Sequence, residues 1–225
     1  MRLSMLFLVL FGLSAHAQEP LSHAPHDPFA LYGDTLQFDV YRKGTRIGQY
    51  QSKFSRRDNA LVIESRMDLA VKVAFIVAYR YHYTAVEMWS DGKLWAIDSS
   101  VNDDGTPKSV TARREGDIIK ITGGKKGPAS APVSIVPTTH WNPDQPLAPL
   151  TLDTLDGVVR HGPATKLGVE QVMAAGKSVE AEHYRYLGEL SNTEVWYANG
   201  HWVRMQFTSR KDGSVVEFRC VKCGV

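Results

Sequence analysis

The stretch Val77–Thr106, VAYRYHYTAVEMWSDGKLWAIDSSVNDDGT, decides the fold class. It reads as two long strands, Val77–Ser90 and Lys93–Asn102, joined at Asp91-Gly92 and ending at a second turn, Asp104-Gly105. Asx-Gly pairs supply the positive φ angles that a tight hairpin needs. Tyr79, Tyr81, Tyr83, Trp89 and Trp95 stand at odd positions. Side chains alternate along a strand, so this spacing predicts an aromatic face on each.

The same rhythm continues on both sides. Leu36, Phe38 and Val40 alternate with Gln37, Asp39 and Tyr41, Lys43-Gly44 makes a turn, and Arg46–Phe54 returns. Ala60–Leu69 alternates again, and Val71–Tyr79 (VKVAFIVAY) is apolar apart from Lys72. Such a run predicts a strand covered on both faces; the alternative is an apolar rim around a cavity mouth. Ser109–Arg114 with Asp117–Thr122, and Glu194–Ala198 with His201–Arg210 about Asn199-Gly200, read as further hairpins. Gly123–Ala131 reads as a loop, and the proline-punctuated Val133–Pro149 as a long crossover, because proline removes ladder donors. Lys166–Met173 is ambiguous between strand and helical turn. No sustained stripe of period 3.6 occurs. The expectation is a mainly β fold over residues 33–225: a single antiparallel meander closing into a half-barrel or β-roll, with little helix.

Residues 1–17 have the parts of a signal peptide: Arg2, the apolar run Met5–Leu13, and Ala15-His16-Ala17 as a cleavage box. No cysteine follows the box, which argues against a lipid anchor, and no later segment has the length of a transmembrane helix. The expected mature chain starts at Gln18 with a flexible leader over residues 18–32, and the expected location is periplasmic or secreted. Among the 225 residues the formal charge is +2, and removing Arg2 leaves +1, which argues against nucleic acid as a partner. The two cysteines, Cys220 and Cys223, follow a strand rather than opening a helix and lack a second pair. They read as a structural pair, a candidate disulfide or free thiols, over redox catalysis or a zinc site.

Signals for chemistry are weak. His23 and His26 form H-x-x-H without other ligands nearby, and Asp98–Gly105 lacks the spacing of a calcium loop, so neither a metal nor any other cofactor is expected. Serines stand in no nucleophile elbow, and neither a phosphate loop nor a dinucleotide fingerprint is present. His82 and Glu87, five apart on a strand, fall on opposite faces. His140, in Thr138-Thr139-His140-Trp141-Asn142-Pro143, is the better catalytic candidate, paired with a carboxylate such as Asp91 or Asp153.

Several blocks carry a resemblance: Tyr79-Arg80-Tyr81-His82, Glu87, Trp89, Asp91-Gly92, Leu94, Asn102-Asp103-Asp104-Gly105, the hairpin Tyr41 through Gly48, and His140-Trp141-Asn142-Pro143 with Leu152 through Gly157. They resemble the exported bacterial domain-of-unknown-function family sixty-one thirty-four over roughly Thr35 to Gly157. Lys93 stands where a Cys is common in that family, Asp104 replaces Asn, and His140 replaces the usual Tyr, which weakens a catalytic role for His140. The resemblance implies an exported β-rich fold and no established activity. In hairpin rhythm alone the chain is also similar to periplasmic lipid carriers of the half-barrel type, an analogy of fold.

The leading expectation is a non-catalytic periplasmic protein that binds an apolar ligand such as a lipid or acyl chain. Tyr79, Tyr81, Tyr83, Trp89 and Trp95 line its pocket and Trp141 acts as a lid. The alternatives are a hydrolase or isomerase centred on His140, and a cell-envelope protein-interaction module using a sheet edge and the VKVAFIV patch.

Overall fold

A computed structural model describes residues 26–225. The expected signal peptide, residues 18–25 of the expected leader and His23 lie outside the described residues. A short helix, α1 (Pro28–Tyr32), comes first. Asp27 caps it by accepting from the Phe29 N–H, and Pro28 presets the first turn. This corrects the expectation of a flexible leader extending to Tyr32. Phe29 and Tyr32 pack on Phe54, and Tyr32 is only 2% exposed. Its hydroxyl donates to the Trp141 carbonyl (2.9 Å) and accepts from the Trp202 N–H (3.0 Å). Two aromatic rings and two buried hydrogen bonds are what tie the segment down.

The strands follow in chain order: β1 (Thr35–Arg42), β2 (Thr45–Arg57), β3 (Ala60–Val73), β4 (Ile76–Ser90), β5 (Lys93–Asp103), β6 (Thr106–Glu115), β7 (Ile118–Gly123), β8 (Ala129–Pro132), β9 (Val136–Pro137), β10 (Leu150–Leu152), β11 (Val159–His161), β12 (Thr165–Ala174), β13 (Lys177–Arg185), β14 (Thr193–Ala198), β15 (His201–Thr208) and β16 (Val215–Lys222). Thirteen of them make one antiparallel sheet in the order β12-β13-β14-β15-β16-β1-β2-β3-β4-β5-β6-β7-β8. The sheet is not closed: β8 and β12 are its edges. It rolls on itself, and the turn after β12 reaches β16, where the Ala175 N–H donates to the Cys220 carbonyl (3.1 Å). No helix among the described residues is long and apolar enough to cross a membrane.

The roll is built by tight turns. Asp91-Gly92 has φ of 50° and 68°, and Asp104-Gly105 has 53° and 90°, the all-positive pattern whose twist suits a two-residue hairpin. Gly48 serves differently: a Cβ there would lie 1.9 Å from the Asp68 carbonyl oxygen, so β2 approaches β3 at that point only through glycine.

Two further segments depart from expectation. The crossover carries structure of its own, because β9 pairs parallel to β10 and β10 antiparallel to β11 in a small separate sheet. The run Val71–Tyr79 is not covered on both faces. It contains the β3–β4 turn, and Val73 and Ile76 are 65% and 74% exposed with Phe75 wholly so. The alternative, an apolar rim at a cavity mouth, describes it: no element crosses over the turn, while Val71, Val73 and Tyr79 border the cavity inside the roll.

Candidate ligand cavity

The concave face of the sheet is filled at one end and hollow at the other. At the filled end Trp89 and Trp141 meet edge to face at 5.4 Å, and Phe54 packs on Trp141 at 6.2 Å. Both indole N–H groups donate to the buried Glu87 Oε2, from 2.8 Å for Trp89 and 3.3 Å for Trp141. Burial raises the pKa of Glu87, opposed by the donors around it, the Trp89 and Trp141 indoles among them. A smaller hollow of about 550 Å³ lies over this plug, bordered by Leu61, Ile135, Arg56, Asp91 and Asp144.

Toward the other end the roll encloses a cavity of about 790 Å³. Ile47, Met67, Leu69, Val101, Phe207 and Phe218 supply apolar wall, and Tyr79, Tyr81 and Tyr83 follow one another along β4. The three tyrosines face the cavity because they occupy alternate positions of a continuous ladder with β3. The Tyr83 hydroxyl bonds Thr154 Oγ1 (2.9 Å), and Tyr79 donates to Asp103 Oδ1 (2.7 Å). The Tyr81 hydroxyl bonds no described residue. Burial pushes all three phenols upward, so they remain protonated donors.

Most of the charged border of the cavity is paired. Arg160 bridges Asp153 (2.7 Å) and Asp156 (2.8 Å), yet burial and the neighbouring Asp156 still raise the pKa of Asp153 against the pull of Arg160. Lys211 (3.1 Å) and Lys108 (3.4 Å) pair with Asp103, and Arg42 with Asp212.

The predicted lining therefore divides. Tyr79, Tyr81 and Tyr83 border the main cavity. Trp89 and Trp141 do not: the crossover lays Trp141 directly on Trp89, and the pair forms the plug and the floor of the smaller hollow, with Trp141 packed rather than a lid on the main cavity. Trp95 is on the outer surface, 48% exposed under the Arg114 guanidinium. The reason is a β-bulge. Met88 pairs with Ala96 and Trp89 with Leu94, so Trp95 is the extra residue and the parity of β5 changes there.

His140 also borders the cavity, held at φ 63°. Its Nδ1 lies 2.8 Å from Gln145 Oε1, and its ring sits 5.1 Å from that of Trp202. Burial brings its pKa down to about 4, against the Gln145 hydrogen bond, so the ring is neutral near pH 7 and donates from Nδ1. Neither predicted carboxylate engages it. Asp91 borders the opposite hollow, and Asp153, though on the same cavity, is bound by Arg160 and the Leu155 N–H (2.9 Å). Among the described residues the ring is oriented by Gln145 rather than by a carboxylate.

Sequence reasoning missed Tyr50, Tyr186 and Trp202, which come from β2, the residue after β13, and β15. Trp202 stands next to a bulge: Trp196 pairs with Arg204 and Tyr197 with Trp202, leaving Val203 extra and both Trp202 and Val203 buried. The alternation of Arg46–Phe54 could have placed Tyr50 inward. No three of His, Cys, Asp or Glu converge as a metal site among the described residues, and His26 pairs instead with Asp144 (3.1 Å). Cys220 and Cys223 are joined in a disulfide.

A family model described as Domain of unknown function (DUF6134) matches residues 38–221. The fold is similar to the crystal structure of a beta-barrel-like protein of Domain of Unknown Function DUF1849 from Brucella abortus. The TM-score is 0.55 at 10% identity, with 85% of this chain and 96% of that one covered. No curated protein matches the sequence.

Proposed function

The chain belongs to the DUF6134 family, a domain of unknown function, and within that fold we propose that it is an exported, non-catalytic binding protein for an apolar ligand such as a lipid or acyl chain. The observation that carries the reading is the cavity of about 790 Å³, apolar along its walls and bordered by a Tyr81 hydroxyl that no described residue engages. A void of that size is costly to leave wet against apolar walls, and it falls within the range of ligand pockets. Tyr81 supplies the orienting donor to a polar head, and the paired charges at the border leave the walls free for a chain. The signal-peptide pattern of residues 1–17 supports export.

Titration with straight-chain fatty acids of increasing length tests this, read by displacement of an environment-sensitive fluorophore. Affinity is expected to rise by up to about 0.8 kcal/mol per added methylene until the cavity is filled. Val101→Trp, which places an indole in the cavity, is expected to abolish uptake while the far-ultraviolet circular dichroism stays that of a β protein. Absence of displacement at any chain length would overturn the reading.

A further inference from the structure

The β3–β4 hairpin ends in Val73-Ala74-Phe75-Ile76, and its three large side chains lie open to solvent at the edge of the cavity mouth. Ala74 holds φ 52°, a left-handed conformation that costs a non-glycine residue on the order of 1 kcal/mol. The turn is thus held in an unfavourable backbone conformation while Phe75 contributes nothing to the core. Exposed apolar clusters of this kind mark contact surfaces.

Three observations identify the contact. First, the tip stands in solvent, with Phe75 wholly exposed. A folded protein partner would have to supply a matching pocket, whereas a bilayer interface accepts a projecting aromatic without shape complementarity. Second, the tip segment itself carries charge of one sign. Residues 69–80 contain Lys72 and Arg80 and no acid; Lys72 is exposed and has no ion pair among the described residues. Lys125, on the cavity border, likewise has none, whereas Lys211 there is held by Asp103. Third, the apolar surface runs without a break from the tip into the cavity through Val73, Val71 and Tyr79.

We propose that this tip docks the protein onto an anionic phospholipid surface. Phe75 and Ile76 enter the boundary between headgroups and acyl chains, Lys72 and Lys125 meet the headgroups, and the cavity mouth is turned to the bilayer. Docking rests on the tip alone; passage of a lipid from bilayer to cavity rests in addition on the reading proposed above.

The experiment uses the disulfide-bonded chain with vesicles of phosphatidylcholine, alone or mixed with phosphatidylglycerol. An environment-sensitive dye on Phe75→Cys is expected to shift to the blue on the mixed vesicles, and added salt to weaken co-sedimentation. The double variant Phe75→Ser/Ile76→Ser is expected to lose association by about tenfold. Both sites are exposed, so its denaturation midpoint and its uptake of the cavity fluorophore should match the unaltered protein. The proposal is overturned if the unaltered protein does not co-sediment, if association survives the double variant, or if the dye stays in water while the protein is bound. Tip-dependent association without fluorophore uptake would retain the docking surface and remove the ligand reading.

Discussion

Strand β4 carries large aromatics on one face from Tyr79 to Trp89, yet its two ends have opposite fates. At Trp89 the crossover brings Trp141, α1 brings Tyr32, and Phe54 completes a dry plug around Glu87. At Tyr79 and Tyr81 no aromatic is laid on the strand: Thr138–His140 and the Asp153–Asp156 turn stand across a void that the sheet curves around. The side chains are chemically alike at both ends. What separates core from cavity lining is whether another element is delivered onto that stretch of strand, a property of topology more than of composition.

The largest effect expected from this contrast is at the plug. Trp141→Ala removes the centre of the aromatic stack and one donor to Glu87, and should cost ~3–5 kcal/mol by urea denaturation. Tyr81→Ala, on the open end, should cost much less. Equal losses would dissolve the distinction between the two ends.

The titratable groups sharpen it next. His140 has a folded pKa of about 4 against an ordinary 6.5. Between these values the unfolded chain binds the proton and the folded one does not, so stability falls as pH drops through that window. The loss is at most about 3 kcal/mol. His140→Gln should flatten this acid limb. Glu87 behaves oppositely, since its raised pKa means the folded state keeps its proton longer and loses stability as pH rises above the ordinary carboxylate range. Glu87→Gln should therefore gain on the unaltered protein toward neutral pH. Denaturation midpoints across pH check both signs.

A smaller change is expected where β16 leaves the sheet. Gln37 pairs with Lys222 and Phe38 with Cys220, so the disulfide from Cys220 to Cys223 spans a bulge at Val221. Its loop is very short, and replacing both cysteines with Ser should cost about 2 kcal/mol at most, seen as a lowered melting temperature. The smallest effect on stability belongs to Tyr81→Phe, within about 0.5 kcal/mol, because the hydroxyl serves no intramolecular bond. If the proposed ligand role holds, the same change weakens acyl-ligand binding by roughly 0.5–1.5 kcal/mol, measured by titration calorimetry.

Much of the roll was legible because period-two alternation and Asx-Gly turns are local. Asp91-Gly92 and Asn199-Gly200 close hairpins where the sequence places them. Trp95 was misread because a bulge adds one residue without any local mark and reverses the parity beyond it. Trp89 and Trp141 were misplaced for a different reason. Their roles depend on where a proline-rich crossover lands, a long-range contact that neither strand announces. The VKVAFIV run could be read as buried or as a rim, because apolarity alone does not say whether anything covers it.

The pairing of β1 with β16 sets a constraint on how the protein folds. The first strand of the sheet finds its neighbour nearly the whole chain away, with Phe38 opposite Cys220, while both sheet edges come from the middle of the sequence. Each half can form its hairpins by local contacts, but the seam between the halves closes only after the last strand is available. Such a nonlocal step slows folding. A circular permutant that tethers β16 to β1 and opens the chain between β8 and β12 would turn the seam into an ordinary hairpin, and should refold faster with the same final sheet.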